Sequence, residues 1–308
     1  MAFTSKDVMA LREKTGVGMM DCKKALEASD GDMDKAVDYL REKGLAKQAK
    51  KAGRIAAEGM AYATVDAAKK VGVVVEVNSE TDFAAKSDKF VAFVKQVAQV
   101  IIDHNPADVD ALMATEAEPG KTMADVLRDQ VLVIGENLSV RRFTRYEGDC
   151  VSYVHGGGRI GVLVRFDADA TAAASEALQE CGKDVAMQIA ALSAAYLDEA
   201  SVPADVLEHE KEVQLALIKN DPKNAKKPDE ILHKMIAGKM KKYFKENCLV
   251  DQAFVKDNSL TVGQYVEQKA KEAGGAMKLA AYVRFEKGEG IEKKQEDFAA
   301  EVAAQMGN

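Results

Sequence analysis

The chain has 308 residues, 47% of them apolar and 30% charged, with 43 Lys and Arg against 50 Asp and Glu. That balance is too apolar for a disordered chain, and a formal net charge of −7 is too acidic for a general nucleic-acid binder. The length fits about two domains of ordinary size.

The charge is uneven: residues 1–54 carry 12 basic and 9 acidic side chains, which leaves 31 against 41 for the remainder and marks off an N-terminal module. Three short helices are predicted within it. Ser5 caps the first, which carries Val8, Leu11 and Arg12 and stops near Thr15-Gly16-Val17-Gly18. Met19 to Ala28 forms the second. Asp32 caps the third, with Met33, Ala36, Val37 and Leu40 at helical spacing and Gly44 after it. A basic helical linker follows through Lys47, Lys50, Lys51 and Arg54. Two adjacent methionines, Met19 and Met20, begin the second helix about 100° apart. At least one is therefore expected at the surface, and docking or packing in a thin core are equally open readings.

Beyond the linker the β-branched run Val71–Val77 predicts a buried strand. A helix starts at Ser87, with Phe90, Phe93, Val94, Val97 and Ile101 on one face. Pro106–Gly120 reads as a loop or broken helix, Met123–Ile134 as a helix ended by Gly135, and Leu138–Tyr146 as a strand. Strands Val151–His155 and Ile160–Phe166 flank Gly156-Gly157-Gly158-Arg159. Residues 171–195 form an Ala-rich helix. Ala204–Lys219 and Asp229–Glu246 form an antiparallel helical hairpin, followed by a helix at Thr261–Glu272, a strand at Leu279–Phe285 and a final helix at Glu292–Gln305. The order strand, helix, helix, strand occurs twice, which predicts an α+β fold with two related halves. The expected divisions are 1–54, 55–146, 147–286 with its hairpin at 204–246, and 287–308.

Enzyme motifs are incomplete. Gly156-x-Gly158-x-x-Gly161 has dinucleotide spacing but is followed by a strand where a helix is needed, so it reads as a hairpin turn. His155-Gly156-Gly157-Gly158 lacks an accompanying GxSxG, and Gly120-Lys121-Thr122 lacks the first glycine of a phosphate loop, its place taken by Thr115. His209-Glu210 lacks the second histidine of a zinc protease. The four cysteines show no CxxC, which argues against zinc or a disulfide scaffold. Apolar runs such as Val131–Ile134 are far shorter than the ~18 residues of a membrane span. No leader is expected at the N-terminus, and a cytoplasmic protein without cofactor or metal is.

Two apolar features remain: the Met19-Met20 pair, and Phe83 in the polar stretch Asn78-Ser79-Glu80-Thr81-Asp82-Phe83. Phe83 can staple the following helix to the core or present a wedge to a partner, and the pattern by itself favours the staple. The segment Leu11–Leu26, read as Leu-Arg-Glu-Lys-Thr-Gly-Val-Gly-Met-Met-Asp-Cys-Lys-Lys-Ala-Leu, resembles the N-terminal signature of the bacterial elongation factor Ts family. Glu76–Phe83, Ile134-Gly135-Glu136-Asn137, His155–Val162 and Phe298–Ala303 resemble its further motifs, in the family's order and across essentially the whole chain. One departure is Ala84, where the family usually has valine after Thr-Asp-Phe.

The resemblance implies a ubiquitin-associated-like helical module, a two-part α+β core with antiparallel sheets, a projecting hairpin and a C-terminal helix. It implies guanine-nucleotide exchange on elongation factor Tu, without covalent chemistry; a Tu-binding adaptor lacking exchange activity is the alternative. Thr81, Asp82 and Phe83 would enter the nucleotide domain of Tu and disturb its Mg²⁺ and phosphate site. Arg12, Met19, Met20, Gly135, Glu136, Asn137 and His155 would make other contacts, with Gln305 or Met306 supplying a terminal one. A homodimer or a two-Tu two-Ts assembly is compatible with the same resemblance, while direct nucleotide, nucleic-acid or membrane binding is not expected.

Overall fold

The computed structural model describes residues 3–51, 53–221, 224 and 227–292. Helices α1 (Ser5–Thr15), α2 (Met19–Ala28) and α3 (Met33–Lys51) enclose a small core of Leu11, Val17, Cys22, Leu26 and Leu40. The cap of α1 is Thr4 rather than Ser5: the Thr4 amide and hydroxyl both donate to Asp7 Oδ2, at 2.7 and 2.8 Å. Gly44 does not stop α3 as expected. It is buried within the helix beside Arg128 and Leu132, so it marks a close approach, and the helix runs on into the basic linker.

Next come β1 (Glu58–Asp66), β2 (Val71–Ser79), α4 (Asp82–Ala85), α5 (Asp88–His104), α6 (Val109–Ala114), the short hairpin β3 (Glu116–Glu118) and β4 (Lys121–Thr122), α7 (Met123–Ile134) and β5 (Leu138–Glu147). They are followed by β6 (Asp149–His155), β7 (Ile160–Ala168), α8 (Ala170–Ala173), α9 (Glu176–Leu192), α10 (Ala204–Asn220), α11 (Asp229–Asn247), β8 (Ala253–Phe254), β9 (Asp257–Thr261), α12 (Val262–Ala273) and β10 (Met277–Glu286). Two three-stranded antiparallel sheets result, ordered β1-β2-β5 and β10-β7-β6. The fold is α+β.

Each sheet has its own helical cover. Val71, Val73, Val75 and Val77 face Phe90, Phe93, Val97 and Ile101 of α5, while Val162, Val164 and Phe166 face Leu178, Val185 and Ile189 of α9. On their other faces the sheets meet each other through Ala61, Ala63, Val74, Leu163 and Phe285. Being covered on both faces is why β2 is a nearly unbroken valine run, buried at every position, instead of an alternating strand.

The halves repeat in detail. A four-residue helix, a serine cap and a 17-residue helix follow β2, and the same series follows β7. Ser87 and Ser175 each accept the amide three residues on, and Asn105 and Ser193 end the long helices with the same φ of 47°. Further on, a short hairpin, a threonine-capped 12-residue helix and a ten-residue strand recur in both. The hairpin α10–α11 is an insertion into the second copy. The expected single helix over 171–195 is two, because Ser175 caps a new start within the alanine run.

The cysteines are unpaired and buried, and burial pushes Cys150 up to about 11 and Cys181 up to about 12. Among the described residues no helix is long and apolar enough to cross a membrane. The expected helix at 292–305, with Gln305 and Met306, lies outside the described residues apart from Glu292.

Candidate functional site

Strand β2 ends at Ser79, and Thr81 turns the chain into α4 by accepting the Ala84 amide on its hydroxyl at 3.2 Å. This turn puts Ala84 and Ala85 inward and Phe83 outward. Phe83 is 89% exposed, the highest value among the large apolar side chains described. It staples nothing, so the packing reading is overturned. The second copy shows that the fold itself does not call for an aromatic there: the equivalent residue of α8 is Thr171, also exposed. The phenyl ring is thus held at the surface on a capped turn, without a packing role in the core.

Asp82 stands beside it, exposed, with Lys86 Nζ at 2.6 Å. The hydrogen bond and charge of Lys86 hold the Asp82 carboxyl below the usual range. Ala84 packs beneath the tip.

The turn after α7 closes against the same loop. Thr81 donates its amide and hydroxyl to Glu136, at 3.0 and 2.6 Å. In the opposite direction the Asn137 amide donates to Glu80 at 2.6 Å, and Arg54 Nη1 reaches the same carboxylate at 3.3 Å. Asn137 is buried and donates its side-chain amide to the Arg54 carbonyl at 2.9 Å, while Gly135 is exposed and its carbonyl accepts from Lys51. Gly135, Glu136 and Asn137 are thus gathered beside Thr81, Asp82 and Phe83.

The N-terminal module approaches from the same side. Leu132 of α7 joins its core, and Lys89, at the start of α5, donates to the Gly16 carbonyl at 3.4 Å. Both methionines face solvent, Met19 at 41% and Met20 at 64% exposure, so neither fills the thin core. Arg12 is exposed as well. His155 lies at the end of β6 and is exposed, with Tyr153 Oη 3.0 Å from its Nδ1. Gly156–Arg159 is the expected hairpin turn between β6 and β7. A line of contacts runs from it to the tip-bearing sheet, because the Lys287 amide donates to the Arg159 carbonyl and its side chain pairs with Glu58, the cross-strand neighbour of Ser79.

A centre that the sequence reading missed braces this end. Glu76 is fully buried and accepts from Arg142 Nε at 2.6 Å, Gly288 N at 2.7 Å, Arg141 Nη1 at 3.0 Å and Asn78 Nδ2 at 3.1 Å. Burial pushes its carboxyl up, but these donors outweigh burial and hold it below its ordinary value. The only sequence signal was an acid in the middle of a valine strand.

These features define a surface rather than a cleft. A cavity of about 600 Å³ opens around Val65, Lys70, Asp149, Leu178 and Lys183, and none of the nominated residues lines it. Among the described residues no cluster of three or more His, Cys, Asp or Glu could hold a metal. Phe83, Met19 and Met20 are large apolar side chains left at the surface.

The sequence model of the family described as Elongation factor TS matches residues 80–289. The chain is 49% identical to the elongation factor Ts of Trichlorobacter lovleyi over 313 residues, covering 100% of this chain and 99% of that one. It is 49% identical over 307 residues to that of Clostridium perfringens, with 99% of each covered, and 47% identical over 309 residues to that of Symbiobacterium thermophilum, with 99% and 98% covered. The chain belongs to the elongation factor Ts family and is a translation elongation factor.

Proposed function

We propose that this chain binds elongation factor Tu in the cytoplasm and promotes release of GDP from it, binding no nucleotide itself. The observation that carries the reading is Phe83, 89% exposed on a capped turn whose counterpart in the second half carries a threonine. In this reading Asp82 and Phe83 intrude on the Mg²⁺ and phosphate side of the Tu nucleotide site. Arg12, Met19 and Met20 grip a second element of that domain, Gly135 lies against the first contact, and His155 meets another domain of Tu.

No covalent bond changes in such a reaction, so the driving force is differential binding. The chain prefers empty Tu to GDP-bound Tu, and linkage requires GDP to weaken the complex by the factor by which the complex weakens GDP. Burying one phenylalanine supplies about 1.5–3 kcal/mol, roughly one to two decades in an equilibrium constant. Phe83 therefore depends on the wider grip, and any loosening of the Mg²⁺ at the Tu nucleotide site would add to the effect. The test is release of a fluorescent GDP analogue from Tu. Acceleration by this chain supports the reading; capture of Tu with an unchanged release rate leaves an adaptor instead.

A further inference from the structure

The contacts around Thr81 assign a role to two side chains. We infer that Glu80 and Glu136 are positioning residues, a crossed clasp that aims Phe83, and that Glu136 serves exchange by holding Thr81 rather than by meeting Tu. The inference rests on the exchange reading above and deepens it.

Each carboxylate sits on one loop and accepts from the backbone of the other: Glu136 from the Thr81 amide at 3.0 Å, Glu80 from the Asn137 amide at 2.6 Å. The Thr81 hydroxyl has two duties. Its proton goes to Glu136 at 2.6 Å, which leaves a lone pair directed at the Ala84 amide, 3.2 Å away. Glu136 thereby orients the cap of a four-residue helix, and a helix that short has almost no stability of its own to fix its direction. Whatever points the cap points Phe83. Arg54 and Lys51 add the linker to the same junction, through Glu80 and the Gly135 carbonyl, so the linker behind the Met19-Met20 module is fixed to the loop that bears the tip.

The second half supplies the comparison. There Asp169 replaces Thr81 as cap, and its side chain accepts directly from Ala172 N at 2.9 Å and Ala276 N at 2.7 Å. The Asp169 amide in turn donates to the Ala276 carbonyl at 2.9 Å, so a single aspartate, through its own backbone and side chain, joins the two loops. The counterpart of Glu136 is Gly275, where a Cβ would lie 2.4 Å from Asp169 Oδ1. The same architecture therefore closes without glutamates where the tip is a threonine. Only the half that presents phenylalanine spans its loops with two carboxylates, and two like charges are held at one junction with Arg54 as counter-ion.

The test uses the full chain with Phe83→Ala, Glu136→Ala, Glu136→Gln and the double variant Glu136→Ala/Phe83→Ala. GDP release from Tu is measured for each, and amide hydrogen exchange at Thr81 and Ala84 is read by NMR on the free chain. Glu136→Ala is expected to lower the stimulated release rate about three- to tenfold, the size of one ordinary hydrogen bond. Glu136→Gln recovers part of this, because its amide oxygen still accepts one donor. In the Phe83→Ala background Glu136→Ala adds no further loss, which neither a direct Tu contact nor a general loss of stability would reproduce. Thr81 and Ala84 lose protection in Glu136→Ala while the amides of α9 keep theirs. Additive losses in the double variant, or unchanged exchange at Thr81, overturn the clasp. If Phe83→Ala itself leaves GDP release unchanged, the exchange reading fails, and the hydrogen-exchange arm still decides whether Glu136 holds the tip.

Discussion

Gly288 and Glu76 are 212 residues apart in the chain, yet the Gly288 amide donates to the buried Glu76 carboxylate at 2.7 Å. Gly288 has φ of +70°, and a Cβ there would come within 2.1 Å of the Ala57 carbonyl oxygen, so only glycine brings its amide so close. The turn after β10 is thereby fixed to β2 just before that strand runs into the Phe83 tip. Arg141 and Arg142 reach out from the same carboxylate to the Glu289 carbonyl and side chain, at 2.6 and 3.0 Å.

Glu76→Ala is accordingly expected to destabilise the fold by about 3 kcal/mol, since it strips four donors of one acceptor. Urea unfolding checks the magnitude, and the amide of Gly288 should lose its protection from hydrogen exchange in the folded variant.

Met20 and Leu11 separate docking from folding within the N-terminal module. Leu11 is fully buried, and Leu11→Ala is expected to cost about 2–5 kcal/mol. Met20 is 64% exposed, and Met20→Ala is expected to change unfolding by less than about 0.5 kcal/mol while weakening capture of Tu several-fold. Chemical denaturation and a binding titration with Tu measure the two effects independently.

Asp125 supplies a pH dependence. It bonds to the Thr122 hydroxyl and amide at the start of α7, and these contacts lower its carboxyl from 3.8 to about 2. The folded state thus favours the ionised form. The contribution is complete above about 3.8 and is lost as the pH falls through about 2. Thermal unfolding followed between these pH values should show a downward step that Asp125→Asn removes, and an NMR titration of Asp125 gives its midpoint directly.

The elements that sequence periodicity located best were those with one dominant apolar face, such as α5 and α7, or a pure β-branched run, such as β2. Strand β1 is hidden from sequence periodicity because Gly59, Ala61 and Ala63 are poor strand formers; the alanines are small because the second sheet lies against them, and Gly59 because a Cβ there would meet the Val77 carbonyl oxygen of β2. The hairpin β8–β9 was missed because it is short and exposed on its second strand. At the site, Phe83 was found but its direction was not, since a staple and a wedge share one local pattern. What decided it was the turn geometry set by Thr81. The links from Thr81 to Glu136 and from Glu80 to Asn137 span 55 and 57 residues, and no local spacing encodes them.

The most direct measurement is the rate at which Tu releases labelled GDP in the presence of this chain and of its Phe83→Ala variant. The chain is expected to accelerate release, and Phe83→Ala to lose at least about tenfold of that acceleration, one phenyl ring's worth of burial, with an unchanged melting temperature. Equal rates for the two chains, or a variant that fails only because it melts earlier, would contradict that expectation.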